Sequence, residues 1–209
     1  MSQSRPLTSG AARSGVEARS ATTLTSPGAR ARILAAADDL FYRRGVRNVG
    51  IDEIIAVAGV AKASLYKHFA SKDALVAEYL RLRHERWYAS FVAAVELLAE
   101  APRARLVAVF HVLEEWFQSE DFRGCAFQNA AVELADRRHE AHAAVLANKR
   151  AVRAYLTELA AQAGLGDPEG VSAQLALLAE GAIITAQLEG SPAAARVARQ
   201  AAETLLRTA

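Results

Sequence analysis

The chain has 209 residues, 52% hydrophobic and 23% charged, proportions of an ordinary globular protein whose core needs no disulfide staple. A single cysteine, Cys125, excludes an intrachain disulfide and a cysteine-based zinc site, and no apolar run approaches the roughly 20 residues of a membrane span. The net charge of +2 hides an asymmetry: residues 1–80 carry 11 Lys and Arg against 7 Asp and Glu, while residues 81–209 carry 14 against 16.

Residues 1–27 are Ser, Thr, Ala, Gly and Arg with almost no large apolar side chains, so they read as a disordered tail. They contain no apolar h-region of a secretory signal. Arg5, Arg13 and Arg19 leave open a basic arm touching nucleic acid. From Gly28 the pattern turns helical. Ile33, Ala37, Leu40 and Phe41 share one helix face, and Gly45 ends that helix just after Arg43 and Arg44. A short helix begins near Ile51, with Asp52 and Glu53 in its first turn, and ends at Gly59. Another short helix spans about Lys62 to Phe69, and Ser71 caps the next. Helices then follow to the end of the chain: from Ser71 to about Glu100, Pro102 to Gln118, Ala126 to Asp136, Glu140 to Ala163, Pro168 to Glu189, and Pro192 to Arg207. No strand-like alternation interrupts them. The expectation is an all-α protein of about nine helices, with residues 28–75 as one unit and 76–209 as another.

The stretch richest in functional signal is Ile33 to Leu75. Two short helices joined through Ala58-Gly59-Val60-Ala61 have the spacing of a helix-turn-helix, in which the second helix enters a DNA major groove. At 100° per residue, Leu65 and Phe69 face the core. Ala63 and Lys67 then lie opposite them, Ser64 and Tyr66 lie to either side, and Lys62 and His68 flank the apolar stripe. Small groups permit close approach to a groove, and hydroxyls and cations meet phosphate oxygens. Lys72 adds a cation beside a helix N-terminus, which itself favours phosphate. By wheel and charge alone the same face also fits a merely solvated surface.

The residues themselves are more specific. Arg32-Ile33-Leu34, Leu40-Phe41, Gly45, Ile54 and the run from Ala58 through Tyr66-Lys67-His68-Phe69 and Ser71-Lys72 to Leu75 resemble the N-terminal domain of TetR-family transcriptional regulators. The resemblance implies a homodimer bound to a palindromic double-stranded DNA operator, with a C-terminal helical domain for a small-molecule effector and for dimerisation. It assigns DNA contact to Lys62, Ala63, Ser64, Tyr66, Lys67, His68 and Lys72. It also implies a cytoplasmic regulator rather than an enzyme, with no cofactor, no metal and no membrane partner. The chain departs from the family pattern at Val49-Gly50, where a hydroxyl residue usually precedes the second helix, and at Ile55, where a smaller residue is usual. The alternative class is an all-helical small-molecule binding protein that no longer reads DNA.

A second, shorter resemblance, from Gly124-Cys125-Ala126 through Asn129 to Glu133, points to a helix lining the effector pocket in one branch of these regulators. It makes Phe127, Asn129 and Glu133 pocket candidates, with Trp87, Phe91, Phe110, Trp116, Phe117 and Phe122 as candidate apolar walls, although aromatics at helical spacing are more often core; Phe91, Phe110, Trp116, Phe127 and Asn129 rank first. The last two helices, with Leu175, Leu178, Ala182, Ile183 and Ala186 on one and Val197, Ala201 and Leu205 on the other, would form the dimer interface by the resemblance and fit a monomer core by pattern alone. His139 and His142 stand at i, i+3 without a third ligand at metal spacing. Cys125, near a helix N-terminus, is either a small buried hydrophobe or a redox-sensing thiol. No phosphate loop, nucleophile elbow or carboxylate pair suggests catalysis.

Overall fold

The computed structural model describes residues 28–209, so the tail expected over 1–27, with Arg5, Arg13 and Arg19, lies outside the described residues. Among the described residues there are nine helices and no strand. They are α1 (Ala29–Arg44), α2 (Ile51–Ala58), α3 (Lys62–His68), α4 (Lys72–Leu98), α5 (Pro102–Phe117), α6 (Ala126–Leu134), α7 (Glu140–Gln162), α8 (Pro168–Glu189) and α9 (Ala193–Thr208). Each lies within two residues of its sequence expectation, because the chain ends its helices with strong local signals. Gly45 and Gly59 take positive φ of 85° and 61° past α1 and α2, where a Cβ would be strained. Ser71 caps α4 by accepting from the Ala74 amide at 2.9 Å, and Pro102 and Pro168 open α5 and α8.

Helices α1–α3 pack around Ile33, Ala37, Leu40, Phe41, Ile54, Leu65 and Phe69, all buried. The Arg32 guanidinium ties this unit internally by donating to the Ala58 carbonyl at 3.0 Å, at the electronegative C-terminus of α2. Helix α4 is shared. Its first turns bury Leu75, Val76, Tyr79 and Leu80 against α1, and its later turns bury Phe91 and Val95 against α5 and α7. The remaining helices continue the same core, with α8 against α7 and α9, and α5 against α9.

Helix α8 corrects one expectation. By length and composition it is apolar enough to cross a membrane. It is instead a core helix: Val171, Leu175, Ala179, Ala182, Ile183 and Ala186 are buried against the chain's own helices, and Glu180 near its middle pairs with Lys149 of α7 at 2.7 Å.

An ion-pair cluster fastens the start of α1 to α4. Arg81 donates to Glu78 at 2.7 and 2.9 Å, and Arg30 of α1 reaches the same carboxylate. The Arg81 hydrogen bonds, with Arg30 assisting, lower the Glu78 pKa from 4.5 to about 2. A carboxylate depressed in the folded state stabilises it fully above about pH 4.5, and that contribution disappears as the pH falls toward 2. Both arginines are half exposed, so solvent screening holds the effect to about 1 kcal/mol or less. Glu78→Gln should therefore lower the melting temperature by no more than about 2–4 °C at pH 7. In melting curves across pH, the gap between variant and parent should narrow below about pH 4.5 and close only near pH 2; a gap independent of pH would contradict this role.

Candidate functional site

The outward face of α3 is the first element of the site. Leu65 and Phe69 are buried and anchor the helix. Lys62, Ala63, Tyr66, Lys67 and His68 are exposed, with Ser64 half-buried at the edge. This is the arrangement expected from the 100° wheel, and it leaves Tyr66 47% exposed although it is a large aromatic. Lys67 forms no ion pair among the described residues, so its ammonium is available to an outside anion.

The two flanking lysines are already engaged. Lys62 Nζ lies 2.9 Å from Asp52 Oδ1 on α2, and that hydrogen bond raises the Lys62 pKa. Lys72 is half-buried, with Nζ 3.5 Å from the Arg47 carbonyl, and burial lowers its pKa. Gly50, at the N-cap of α2, offers no side-chain cap, as its residue type dictates.

The second element is a narrow cavity in the helical core, with a volume of about 40 Å³. Trp87 and Phe91 of α4 stack at 4.9 Å between centroids on one wall, and Trp116 of α5 stands 6.2 Å from Trp87. Phe127 of α6 and aliphatic residues of α5, α7 and α8 complete the apolar lining. Five polar side chains interrupt it: Arg83, Cys125, Asn148, Lys149 and Glu180.

Of the five residues expected to contact an effector, Phe91, Trp116 and Phe127 line the cavity. Phe110 and Asn129 do not. On α5 the lining positions are Val109, Leu113 and Trp116, one helical face; Phe110 is turned about 100° from Val109 and is buried elsewhere in the core. Asn129 is two residues past Phe127, on another side of α6, and donates to the Arg123 carbonyl at 3.0 Å. Glu133 is also turned away. Its carboxylate accepts from the Arg47 amide at 2.8 Å, and it crowds Gly45, where an added Cβ would come within 2.7 Å of Oε1. His139 caps α7 through Nδ1, accepting from the Ala141 amide at 3.1 Å, and its Nε2 lies 3.2 Å from Asp73.

Sequence reasoning missed Arg83, Asn148, Lys149 and Glu180. A signal existed for two of them. Lys149 shares a helical stripe with Val145, Val152 and Leu156, and Glu180 shares one with Ala176 and Ile183, so each is a charge at a core-facing position.

Arg83 joins the two elements. It lines the cavity, yet its Nη1 lies 3.0 Å from Asp38 Oδ1 on α1 and its guanidinium carbon lies 3.7 Å from the centroid of the Tyr42 ring. Tyr42 Oη in turn donates to the Gly124 carbonyl at 3.1 Å and accepts from the Arg123 amide at 3.1 Å.

The Lys62–Asp52 pair makes the face testable. Asp52→Asn removes a negative charge beside α3 and releases the Lys62 ammonium. Affinity for an arbitrary duplex, followed by fluorescence anisotropy, should rise several-fold. Its logarithmic salt slope should steepen by roughly 0.9 for each additional phosphate that the protein neutralises. An unchanged slope would mean that Lys62 does not meet DNA.

Comparison with known proteins agrees with this geometry. The model of the family described as bacterial regulatory proteins, tetR family, matches residues 33–79, and that of the tetracyclin repressor-like C-terminal domain matches residues 102–202. The crystal structure of SCO4454, a TetR-family transcriptional regulator from Streptomyces coelicolor, is 36% identical, covers 86% of this chain and 95% of that one, and superposes with a TM-score of 0.79. The transcriptional repressor NemR of Escherichia coli is 29% identical over 134 residues, a match spanning 62% of this chain and 65% of NemR. The transcriptional repressor KstR2 of Mycobacterium tuberculosis is 32% identical over 108 residues, 52% of this chain and 54% of KstR2.

Proposed function

The chain belongs to the tetR family of bacterial regulatory proteins, and from that premise we propose that it is a dimeric, cytoplasmic repressor. In this reading it binds a palindromic operator and releases it when a small molecule occupies the cavity. The observation that carries the reading is the face of α3, where Tyr66 and Lys67 stand exposed on a helix anchored by Leu65 and Phe69. Residues 28–75 form the DNA-reading unit and residues 76–209 the effector and dimer unit. NemR and KstR2, both named transcriptional repressors, support repression. No catalytic role or cofactor enters this account.

Dimerisation through α8 and α9 has a physical basis in what those helices expose. Leu175, Ala182, Ile183 and Ala186 are buried in the chain's own core. The outward apolar set is Leu177, Ile184 and Leu188 on α8 with Val197 on α9, and Leu177 and Leu188 are 72% and 79% exposed. The α8 residues recur at i, i+7 and i+11, a continuous helix face whose cover by a second copy would remove it from water. Two-fold pairing presents two α3 helices to DNA, with half-sites about one helical turn or a multiple apart.

Binding to the DNA flanking the chain's own gene, measured at two salt concentrations, tests the reading. A specific fragment should be retained, with affinity falling steeply as salt rises. Tyr66→Ala and Lys67→Ala should each weaken operator binding, by about 1–3 kcal/mol if the side chain reads a base. Helix content and sedimentation as a dimer should be unchanged. Full operator affinity in both variants would contradict the assignment of this face.

A further inference from the structure

Three segments far apart in sequence converge beside α3. The turn between α1 and α2 is held from both sides of one residue. The Arg47 amide donates to Glu133 of α6 at 2.8 Å, and the Arg47 carbonyl lies 3.5 Å from Lys72 Nζ at the start of α4. The turn between α6 and α7 docks on the same end of α4, where His139 Nε2 lies 3.2 Å from Asp73 Oδ1. The start of α2 meets the start of α3 through the Asp52–Lys62 pair. The α6–α7 turn therefore stands next to the elements that carry the exposed face of α3, although it belongs to the part of the chain that holds the cavity.

The charges in this region divide by role. Glu133 takes the Arg47 amide, and Asp73 faces His139. Asp136 accepts from the Arg138 amide at 2.9 Å and from its guanidinium at 3.2 Å. Glu140 sits in the first turn of α7, where the helix terminus favours a carboxylate. The acids thus hold the turns in place. Arg47 and Arg137 are exposed, and neither guanidinium has a partner among the described residues. Ala135 takes a positive φ of 47°, a conformation that an alanine adopts only under constraint. That kink ends α6, and residues 136–138 after it are all exposed. Constrained backbone of this kind gathers at functional sites.

Resting on the reading of α3 as the helix that enters DNA, we propose that the α6–α7 turn is a second DNA-contact element: Arg137, together with Arg47, grips backbone phosphates beside the groove that α3 occupies. A guanidinium pairs with phosphate through parallel N–H donors, whatever the base sequence. Neither arginine has to leave an ion pair to do so, unlike Lys62, which is held by Asp52. The contact adds affinity and fixes register, and it carries no sequence preference of its own.

The test measures the full-length protein against a duplex of arbitrary sequence, by fluorescence anisotropy over a salt series. Arg137→Gln and Arg47→Gln should each weaken binding several-fold and reduce the logarithmic salt slope by about 0.9, the change for one phosphate no longer neutralised. Arg150→Gln removes the same charge from an exposed position farther along α7, and its slope should equal the parent's. A second readout needs no variant. On the parent protein, a bound duplex should shield Arg47 and Arg137 from phenylglyoxal, located by peptide mapping, while Arg150 stays reactive. A parental slope in folded Arg137→Gln, an equal fall in Arg150→Gln, or equal modification of Arg137 with and without duplex would overturn the proposal. Failure of the α3 reading shows separately, as full affinity in Tyr66→Ala and Lys67→Ala. A parent protein that binds no duplex overturns both.

Discussion

The structure depends on the partly buried contact between Arg83 and the first helix. Asp38 and Tyr42 belong to α1, whereas Arg83 projects from the middle of α4 at the rim of the cavity. The Asp38–Arg83 pair is shielded, with side chains 25% and 21% exposed. Arg86 also meets the Asp38 carboxylate, at 3.0 Å, so the acid holds two arginines of α4 together. Arg83 also stacks on the Tyr42 ring, so the guanidinium satisfies charge and apolar surface together. The contact ties α1 to α4 beside a single continuous hydrophobic core.

In the proposed reading, the outward face of α3 and the cavity act together through this contact. Helix α3 is too short to be stable alone, and its position follows from Leu65 and Phe69 in the α1–α3 core. That core in turn meets the rest through α4, through Tyr42 on the Gly124 peptide, and through Glu133 on the Arg47 amide. All three connections start from walls or borders of the cavity: Arg83 on α4, the loop before α6, and α6 itself. A molecule that spreads those walls would act on these attachments, while the Arg30–Glu78 pair and the packing of Leu75, Val76, Tyr79 and Leu80 against α1 lie outside the cavity. It can shift the equilibrium only as far as its affinities for the two arrangements differ.

Much of this was legible in the sequence, for reasons specific to particular residues. The nine helices announce themselves through Gly45, Gly59, Ser71, Pro102 and Pro168, whose backbone chemistry is local. The face of α3 follows from two residues, Leu65 and Phe69, because a short helix with two anchors has one orientation. The cavity was legible only in part. Phe110 and Val109 are neighbours in sequence and both buried, yet only Val109 meets the empty space, a distinction set by the rotation of α5 in the packed core. Glu133 was drawn to the α1–α2 turn by an amide 86 residues away. The Arg83–Asp38 and Lys149–Glu180 pairs span 45 and 31 residues, and no local pattern links their members.

The central claim is that Arg83 carries mechanical coupling between the cavity and α1. Amide hydrogen exchange of the parent and of Arg83→Met measures it directly, since exchange resolves the stability of each helix separately. The account predicts that α1 loses protection strongly in the variant while α7, α8 and α9 keep theirs. Unchanged protection throughout α1 would contradict it.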